Sequence, residues 1–71
     1  MYTHKSFGRR LKQLRLQKGF TQEHLAFHAG TCSTEVGRLE RGLGNPNLHT
    51  ILSLAYALEI EPVELLREDP E

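Results

Sequence analysis

Apolar residues recur along the chain at intervals of three and four, the spacing that places side chains on one face of an α-helix. The pattern predicts four amphipathic helices, followed by a short fifth helix that begins at Pro62 with the residues VELL. The predicted apolar faces consist of Phe7, Leu11 and Leu14 in the first helix, Leu25, Ala26 and Ala29 in the second, Val36 and Leu39 in the third, and Leu48, Ile51, Leu54, Ala55 and Leu58 in the fourth.

Residues that favour helix ends separate these segments. The expected N-caps are Ser6, Thr21 and Asn47, and the expected stops are Gly19, Gly30 and Gly42. The third helix is expected from about Cys32 or Ser33 to Arg41. The sequence therefore predicts an all-α fold in a single domain over residues 1–71. Its core spans about residues 6–67, with short tails at 1–5 and 68–71.

The third helix is unusual in its composition. Residues 30–42 read GTCSTEVGRLERG, with glycine at both ends and in the middle. Val36 and Leu39 are enough to hold one side of this helix on a core. Its other face, made of Ser33, Thr34, Gly37 and Arg38, is then expected to point away from the core and contact something outside the chain. Cys32, at the helix start, is expected to be a small buried or half-buried filler.

The charge distribution is more informative than the net charge, which is zero. Residues 1–41 contain eight basic and three acidic residues, a net charge of +5, whereas residues 42–71 contain one arginine and six acidic residues, a net charge of −5. Such a chain can present a basic face to phosphates while its acidic end faces away. Ordinary solvated charge remains the alternative explanation.

Several classes of function are disfavoured by composition. A single cysteine excludes an intramolecular disulfide, and His24 and His28 lack a third ligand of suitable spacing, so we expect no metal and no other cofactor. No stretch approaches the roughly 20 apolar residues of a membrane span, and the N-terminus lacks the apolar run of a signal peptide, which predicts a cytoplasmic protein. Without a phosphate-binding glycine loop or a catalytic cluster, the chain is expected to be neither an enzyme nor a receptor for a small molecule.

Helix 2, the turn after Gly30 and helix 3 have the arrangement of a helix-turn-helix. From Phe7 to about Leu66 the chain resembles the phage-repressor and Cro-like helix-turn-helix domains, also called the XRE family. The resemblance rests on FGRRLKQLRLQKGFTQEHLA, the Gly30 turn, LERG at 39–42, NPNLHTILSLAYAL and EPVELL, in this order and spacing. It implies a compact five-helix, lambda-repressor-like domain.

The resemblance also implies a DNA-binding surface. Base contacts are expected from the exposed face of helix 3, where Arg38 can bind guanine through two hydrogen bonds. The free N–H groups at the start of helix 2 suit a phosphate independently of any family. A buried salt bridge is expected between Arg15 and Glu40. The expected base-contacting residues are Ser33, Thr34, Gly37 and Arg38, and the expected phosphate-contacting residues are Thr21, Gln22, Arg41 and Asn45.

The predicted function is a sequence-specific DNA-binding transcriptional regulator, a repressor or autoregulator, which binds double-stranded DNA at a two-fold operator as a homodimer. Tyr56, Val63 and Leu66, apolar residues that a thin core leaves uncovered, are the expected dimer interface. Leu52 and Tyr56 could equally belong to the core. A restriction-modification controller, an antitoxin and a protein-interaction module on the same scaffold remain open alternatives.

Overall fold

Five helices account for most of the chain between residues 2 and 67, the part that the computed structural model describes. They are α1 (His4–Gln17), α2 (Gln22–Ala29), α3 (Ser33–Glu40), α4 (Leu48–Leu58) and α5 (Pro62–Leu65). No strand occurs within this range, so the all-α prediction is confirmed. The expected tail at 68–71 lies outside the described residues.

Side-chain caps begin three of these helices. The Thr21 hydroxyl accepts from the His24 N–H, and the Asn47 side chain accepts from the Thr50 N–H, both at 2.9 Å, which confirms these two predicted N-caps. The prediction for α1 was wrong. Thr3 caps that helix by accepting from the Ser6 N–H at 3.2 Å, and Ser6 is buried inside its first turn.

The first described residues belong to the folded domain instead of forming a tail. The Tyr2 hydroxyl donates to the Leu65 carbonyl at 2.6 Å. Arg10 donates from Nε to the Glu64 carbonyl at 2.7 Å and from Nη2 to the Glu64 carboxylate at 3.0 Å. These bonds fix α5 to the N-terminal part of the chain, which gives a one-turn helix the tertiary support that it needs.

Four helices are followed by a residue in the left-handed conformation, and Gly19 after α1 and Gly42 after α3, at φ 75° and 82°, confirm two of the predicted stops. Gly30 closes α2 at φ 75° as predicted. The end of α4 was not predicted, because it falls on Glu59 at φ 60°, where glycine is the usual residue.

The core lies between the apolar faces of all five helices. Most of the predicted core positions are buried, but Leu48 was wrongly assigned, since its side chain is 70% exposed. The buried apolar residues are Phe7, Leu11, Leu14, Leu25, Ala26, Val36, Leu39, Leu54, Ala55, Ala57, Leu58 and Leu65. No helix within residues 2–67 combines the length and apolar character needed to cross a membrane.

Gly8 allows α1 to approach α3 closely. A β-carbon on this residue would lie 2.7 Å from the Glu40 carbonyl oxygen and would also collide with the Leu39 carbonyl. Backbone atoms cannot move aside as a flexible side chain can. Only glycine at this position allows α1 to lie this close to the end of α3, the helix that carries the predicted base-contacting residues.

Candidate nucleic-acid interface

Helices α2 and α3 form a helix-turn-helix with its second helix held from one side. Val36 and Leu39 of α3 are almost fully buried, at 0% and 1% exposure. The Thr31 N–H donates to the Ala26 carbonyl at 2.9 Å, which completes the turn after Gly30. The opposite side of α3 is left for contacts outside the chain.

The start of α3 lacks a side-chain cap. Cys32 occupies the N-cap position at φ −121° and ψ 159°, and no side chain accepts from the first turn. Its thiol is exposed, so the expectation of a buried or half-buried filler was wrong. Backbone N–H groups at this end of the helix are consequently free to bind an acceptor.

Three of the four residues expected to contact bases reach the surface of α3. Ser33 is half-buried in the first turn, and Thr34 and Arg38 are exposed. Arg38 Nε lies 3.7 Å from Glu35 Oε1, and its Nη2 lies 3.6 Å from where a β-carbon on Gly44 would stand. The guanidinium is therefore loosely held between Glu35 and the loop after α3.

Gly37 was expected on the face of α3 that points away from the core and contacts something outside the chain, but it is not on an open surface. It is buried, because the side chains of Gln22 and Arg41 lie over it. A β-carbon here would lie 3.3 Å from Arg41 Nη1 and 3.5 Å from Gln22 Oε1. The side chains of Gln22, from α2, and Arg41 therefore lie across the middle of α3 at Gly37, which has no side chain of its own.

The residues expected to contact phosphate flank α3. Thr21 uses its hydroxyl to cap α2, and Gln22 donates from Nε2 to Glu40 Oε1 at 3.0 Å. Arg41 follows α3 directly and is exposed, and Asn45 is exposed in the next loop. The structure brings Gln22 and Arg41 together over Gly37.

Arg15 and Glu40 form the ion pair that was expected between helices 1 and 3. Arg15 Nε lies 2.6 Å from Glu40 Oε2, and the two side chains are 9% and 4% exposed. Arg15 Nη1 also donates to the Phe20 carbonyl at 2.7 Å. The pair thus connects α1 to α3 and to the turn before α2. It also fixes the position of the Glu40 carboxylate, which accepts the hydrogen bond from Gln22.

Lys5 also lies beside this surface, a position that was not predicted from the sequence. Its Cγ would lie 2.7 Å from a β-carbon on Gly42, so the side chain runs against the end of α3 beside Arg41. No ion pair holds Lys5 within residues 2–67. In the sequence Lys5 is one of several basic residues near the N-terminus, and nothing distinguishes it from the others. It lies close to α3 because of the way α1 packs.

Many of the basic residues are neutralised by acidic partners. The ion pairs seen among residues 2–67 include Arg10–Glu64, Arg15–Glu40, Lys18–Glu59, Arg38–Glu35 and Arg67–Glu64. Lys5, Lys12 and Arg41, in contrast, have no ion-pair partner in the described part of the chain, and two of them, Lys5 and Arg41, lie by the end of α3. Unneutralised positive charge therefore lies at the C-terminal end of α3, where a phosphate backbone would pass if α3 entered a groove.

A row of apolar side chains occupies the exposed face of α4. Leu48, Leu52 and Tyr56 are spaced four residues apart and are 70%, 46% and 82% exposed. Leu52 and Tyr56 are therefore not core residues of the single chain. Val63 and Leu66, the other residues expected at a dimer interface, are 58% and 45% exposed near α5.

The two histidines of α2 lie in a group of tilted rings. The centroids of His24 and His28 are 4.5 Å apart with 49° between the ring planes, and Phe20 lies 4.3 Å from His24 with 44° between the planes. Among residues 2–67, no group of three or more His, Cys, Asp or Glu side chains is arranged to hold a metal ion.

The geometry of α2 and α3 agrees with comparisons to known proteins. Residues 6–68 match the family described as helix-turn-helix domain. The chain belongs to this family. It is 38% identical over 61 residues to the control protein C.BamHI of Bacillus amyloliquefaciens, an alignment that covers 84% of this chain and 75% of that protein.

Two solved structures are also similar. The restriction-modification controller protein C.AhdI from Aeromonas hydrophila has a TM-score of 0.86 and 52% sequence identity, over 87% of this chain and 94% of that one. The biofilm master regulator SinR, solved in complex with DNA, has a TM-score of 0.81 and 31% identity, over 86% of this chain and 98% of that one. The five-helix domain described above is thus the fold of helix-turn-helix regulators.

Proposed function

We propose that this protein is a sequence-specific DNA-binding regulator of transcription that inserts α3 into the major groove. The observation that carries the proposal is the division of α3 into two faces. Val36 and Leu39 are buried, while Thr34 and Arg38 are exposed polar residues on the other face, where Arg38 makes a long ion pair of 3.7 Å with Glu35. A solved complex of the similar protein SinR with DNA supports this choice of partner.

The proposed contacts divide into base reading and backbone binding. Ser33 and Thr34 have hydroxyls that can donate to or accept from base edges, and the Arg38 guanidinium can bind guanine O6 and N7 together. Thr21, Gln22, Arg41 and Asn45 are proposed to contact phosphates on either side of the groove, with Lys5 added to this set from its place beside Gly42. For Arg38 to reach a base it must leave Glu35, which its long exposed contact of 3.7 Å permits at little cost.

We further propose that the regulator acts as a homodimer through the exposed row on α4 and the residues near α5. Leu52, Tyr56, Val63 and Leu66 would cover one another about a two-fold axis. Such a dimer would place two copies of α3 about 34 Å apart, one turn of B-DNA, and would bind a two-fold operator.

Within this class, a controller of a restriction-modification operon is the role that the similarities favour. Two of the similar proteins, C.BamHI and C.AhdI, are named as control or controller proteins. We therefore propose that the protein binds an operator that controls expression of its own operon, a role that belongs to the cytoplasm. No observation on the described residues favours the alternative of an antitoxin-like interaction module.

Selection of binding sites from a random duplex library tests the proposal. The expected product is a two-fold consensus whose half-sites are centred about 10 base pairs apart. Binding of that consensus should weaken steeply as salt rises, because phosphate contacts release counterions. Recovery of no enriched sequence, together with equal retention of all duplexes, would contradict sequence-specific binding.

A further inference from the structure

We propose that Gly37 is a positioning residue, whose missing side chain leaves a notch on α3 that seats the guanidinium of Arg41 against Gln22. This inference rests on the proposed DNA-binding function and replaces the direct base contact that the sequence suggested for Gly37. Arg41 and Gln22 are the phosphate-binding groups that the notch holds in place.

The contacts over Gly37 define the notch. A β-carbon on this residue would lie 3.3 Å from Arg41 Nη1, 3.5 Å from Gln22 Oε1 and 3.6 Å from Gln22 Nε2. The first of these distances is shorter than most such contacts, so a methyl group would displace the Arg41 guanidinium by a few tenths of an ångström. The two distances to Gln22 are ordinary contacts. Gln22 is therefore the fixed wall of the notch, and Arg41 is the group that would move.

Gln22 is fixed because it is tied to a buried ion pair. Its Nε2 donates to Glu40 Oε1 at 3.0 Å, and Glu40 is itself held by Arg15 at 2.6 Å. The Gln22 amide keeps a second N–H for a phosphate oxygen. Arg41 has no ion-pair partner among residues 2–67, so no carboxylate there competes with the DNA backbone for its guanidinium.

The fold itself gives no reason for glycine at this position. Gly37 is helical and has no positive φ, whereas an ordinary residue in a helix interior is more favourable than glycine. Gly8 is the opposite case, because a β-carbon there meets backbone carbonyls that cannot yield. The three atoms nearest to where a Gly37 β-carbon would stand all belong to the Arg41 and Gln22 side chains, so we take the requirement for glycine to concern where those two side chains lie.

The first arm of the test uses the free protein. Nuclear Overhauser contacts are expected between the Gly37 α-protons and the Arg41 side chain, and Gly37→Ala should shift the Arg41 Nε resonance. The melting temperature of Gly37→Ala should equal or exceed that of wild type, whereas Gly8→Ala should melt lower. Absence of the Arg41 contacts, or a lower melting temperature for Gly37→Ala, would overturn the proposal, because the glycine would then be serving the fold.

The second arm measures binding of the selected operator and of mismatched duplexes by Gly37→Ala, Arg41→Ala and the double variant. Gly37→Ala is expected to bind every duplex several-fold more weakly, up to the about tenfold loss of one charge-assisted hydrogen bond, and to have little further effect once Arg41 is alanine. Unchanged affinity would overturn the proposal. So would a loss confined to one base pair that persists in the Arg41→Ala background, since Gly37 would then contact that base directly.

The two arms separate this inference from the proposed function. If wild-type protein bound no duplex, the DNA-binding function would fail, while the Arg41 contacts in the free protein would still decide whether the notch exists. If wild type bound and Gly37→Ala bound equally well, only the inference would fail.

Discussion

Arg15 and Glu40 form a two-bond ion pair in the interior of the domain, with Nε to Oε2 at 2.6 Å and Nη2 to Oε1 at 3.1 Å. The Glu40 side chain is only 4% exposed. It accepts from Gln22 as well, so one buried carboxylate connects the core contact of α1 with the surface of α3. Glu40 therefore contributes both to the stability of the domain and to the geometry of the surface proposed to bind DNA.

Replacing Glu40 should destabilise the domain severely. Glu40→Ala leaves the Arg15 guanidinium buried without its counter-charge, which costs about 3–5 kcal/mol, a large share of the stability of a small domain. Thermal unfolding followed by circular dichroism measures the effect. The matched control is Glu64→Ala, which breaks the pair with Arg10 at a carboxylate that is 34% exposed and should cost much less. Melting of Glu40→Ala within a few degrees of wild type would show that the pair is not important for stability.

The uncapped start of α3 offers a stabilising substitution. Cys32→Ser supplies an oxygen that can accept from the first turn, and we expect a gain of about 1 kcal/mol. For a domain of this size, that gain should raise the melting temperature by about 4–8 °C. Asn47→Ala removes an existing cap from α4 and should lower it by a similar amount. No rise for Cys32→Ser would mean that the α3 terminus is satisfied in another way.

Helix ends were predicted well wherever the signal was local. Four residues affect only the adjacent turn of backbone, and each occupies the helix-end position that was predicted for it: Thr21, Gly30, Asn47 and Pro62. The start of α1 was harder, because two hydroxyl residues stand three apart. The choice of Thr3 over Ser6 depends on long-range contacts such as the bond from Tyr2 to Leu65, which local patterns do not contain.

The faces of α4 show the same limit. Leu48 fits the apolar spacing of the core residues, but it also lies four residues before Leu52 and eight before Tyr56, and the structure assigns it to that exposed row. Spacing alone permits both assignments. The end of α4 at Glu59 could not be predicted from the sequence, because glutamate rarely adopts a positive backbone φ.

In the candidate site, exposure of Thr34 and Arg38 followed from the spacing of Val36 and Leu39, a relation within one helix. The burial of Gly37 did not follow, since the covering side chain of Gln22 comes from another helix. Lys5 was missed for the same reason, because its position beside Gly42 is set by how α1 packs on α3. Contacts between helices are the part that sequence periodicity cannot supply.

Dimerisation should be lost when charge is placed in the exposed row of α4. Tyr56→Asp puts a carboxylate where an apolar contact is proposed, and sedimentation at micromolar concentration should show a monomer where wild type is a dimer. Phe27→Asp is the matched control, because Phe27 is an equally exposed aromatic residue on α2, outside this row. It should leave the dimer intact. A wild-type chain that is strictly monomeric at these concentrations would contradict the proposed interface.

If α3 reads DNA sequence, substitutions of Arg38 and Arg41 should have different effects on DNA binding. Arg41 is proposed to bind phosphate, so Arg41→Ala should weaken binding to all sequences and lower the salt slope by about one, while the consensus stays the same. Arg38 is proposed to bind guanine, a contact that contributes roughly 1–3 kcal/mol of discrimination between bases. Its removal should relax the consensus at one position.

Selection of binding sites from a random duplex library, carried out in parallel with wild type, Arg38→Ala and Arg41→Ala, tests this claim most directly. We expect wild type and Arg41→Ala to enrich the same two-fold consensus. We expect Arg38→Ala to enrich a consensus in which one guanine per half-site is no longer preferred. An Arg38→Ala consensus identical to that of wild type would contradict base reading by Arg38, and failure of wild type to enrich any consensus would contradict sequence reading by α3.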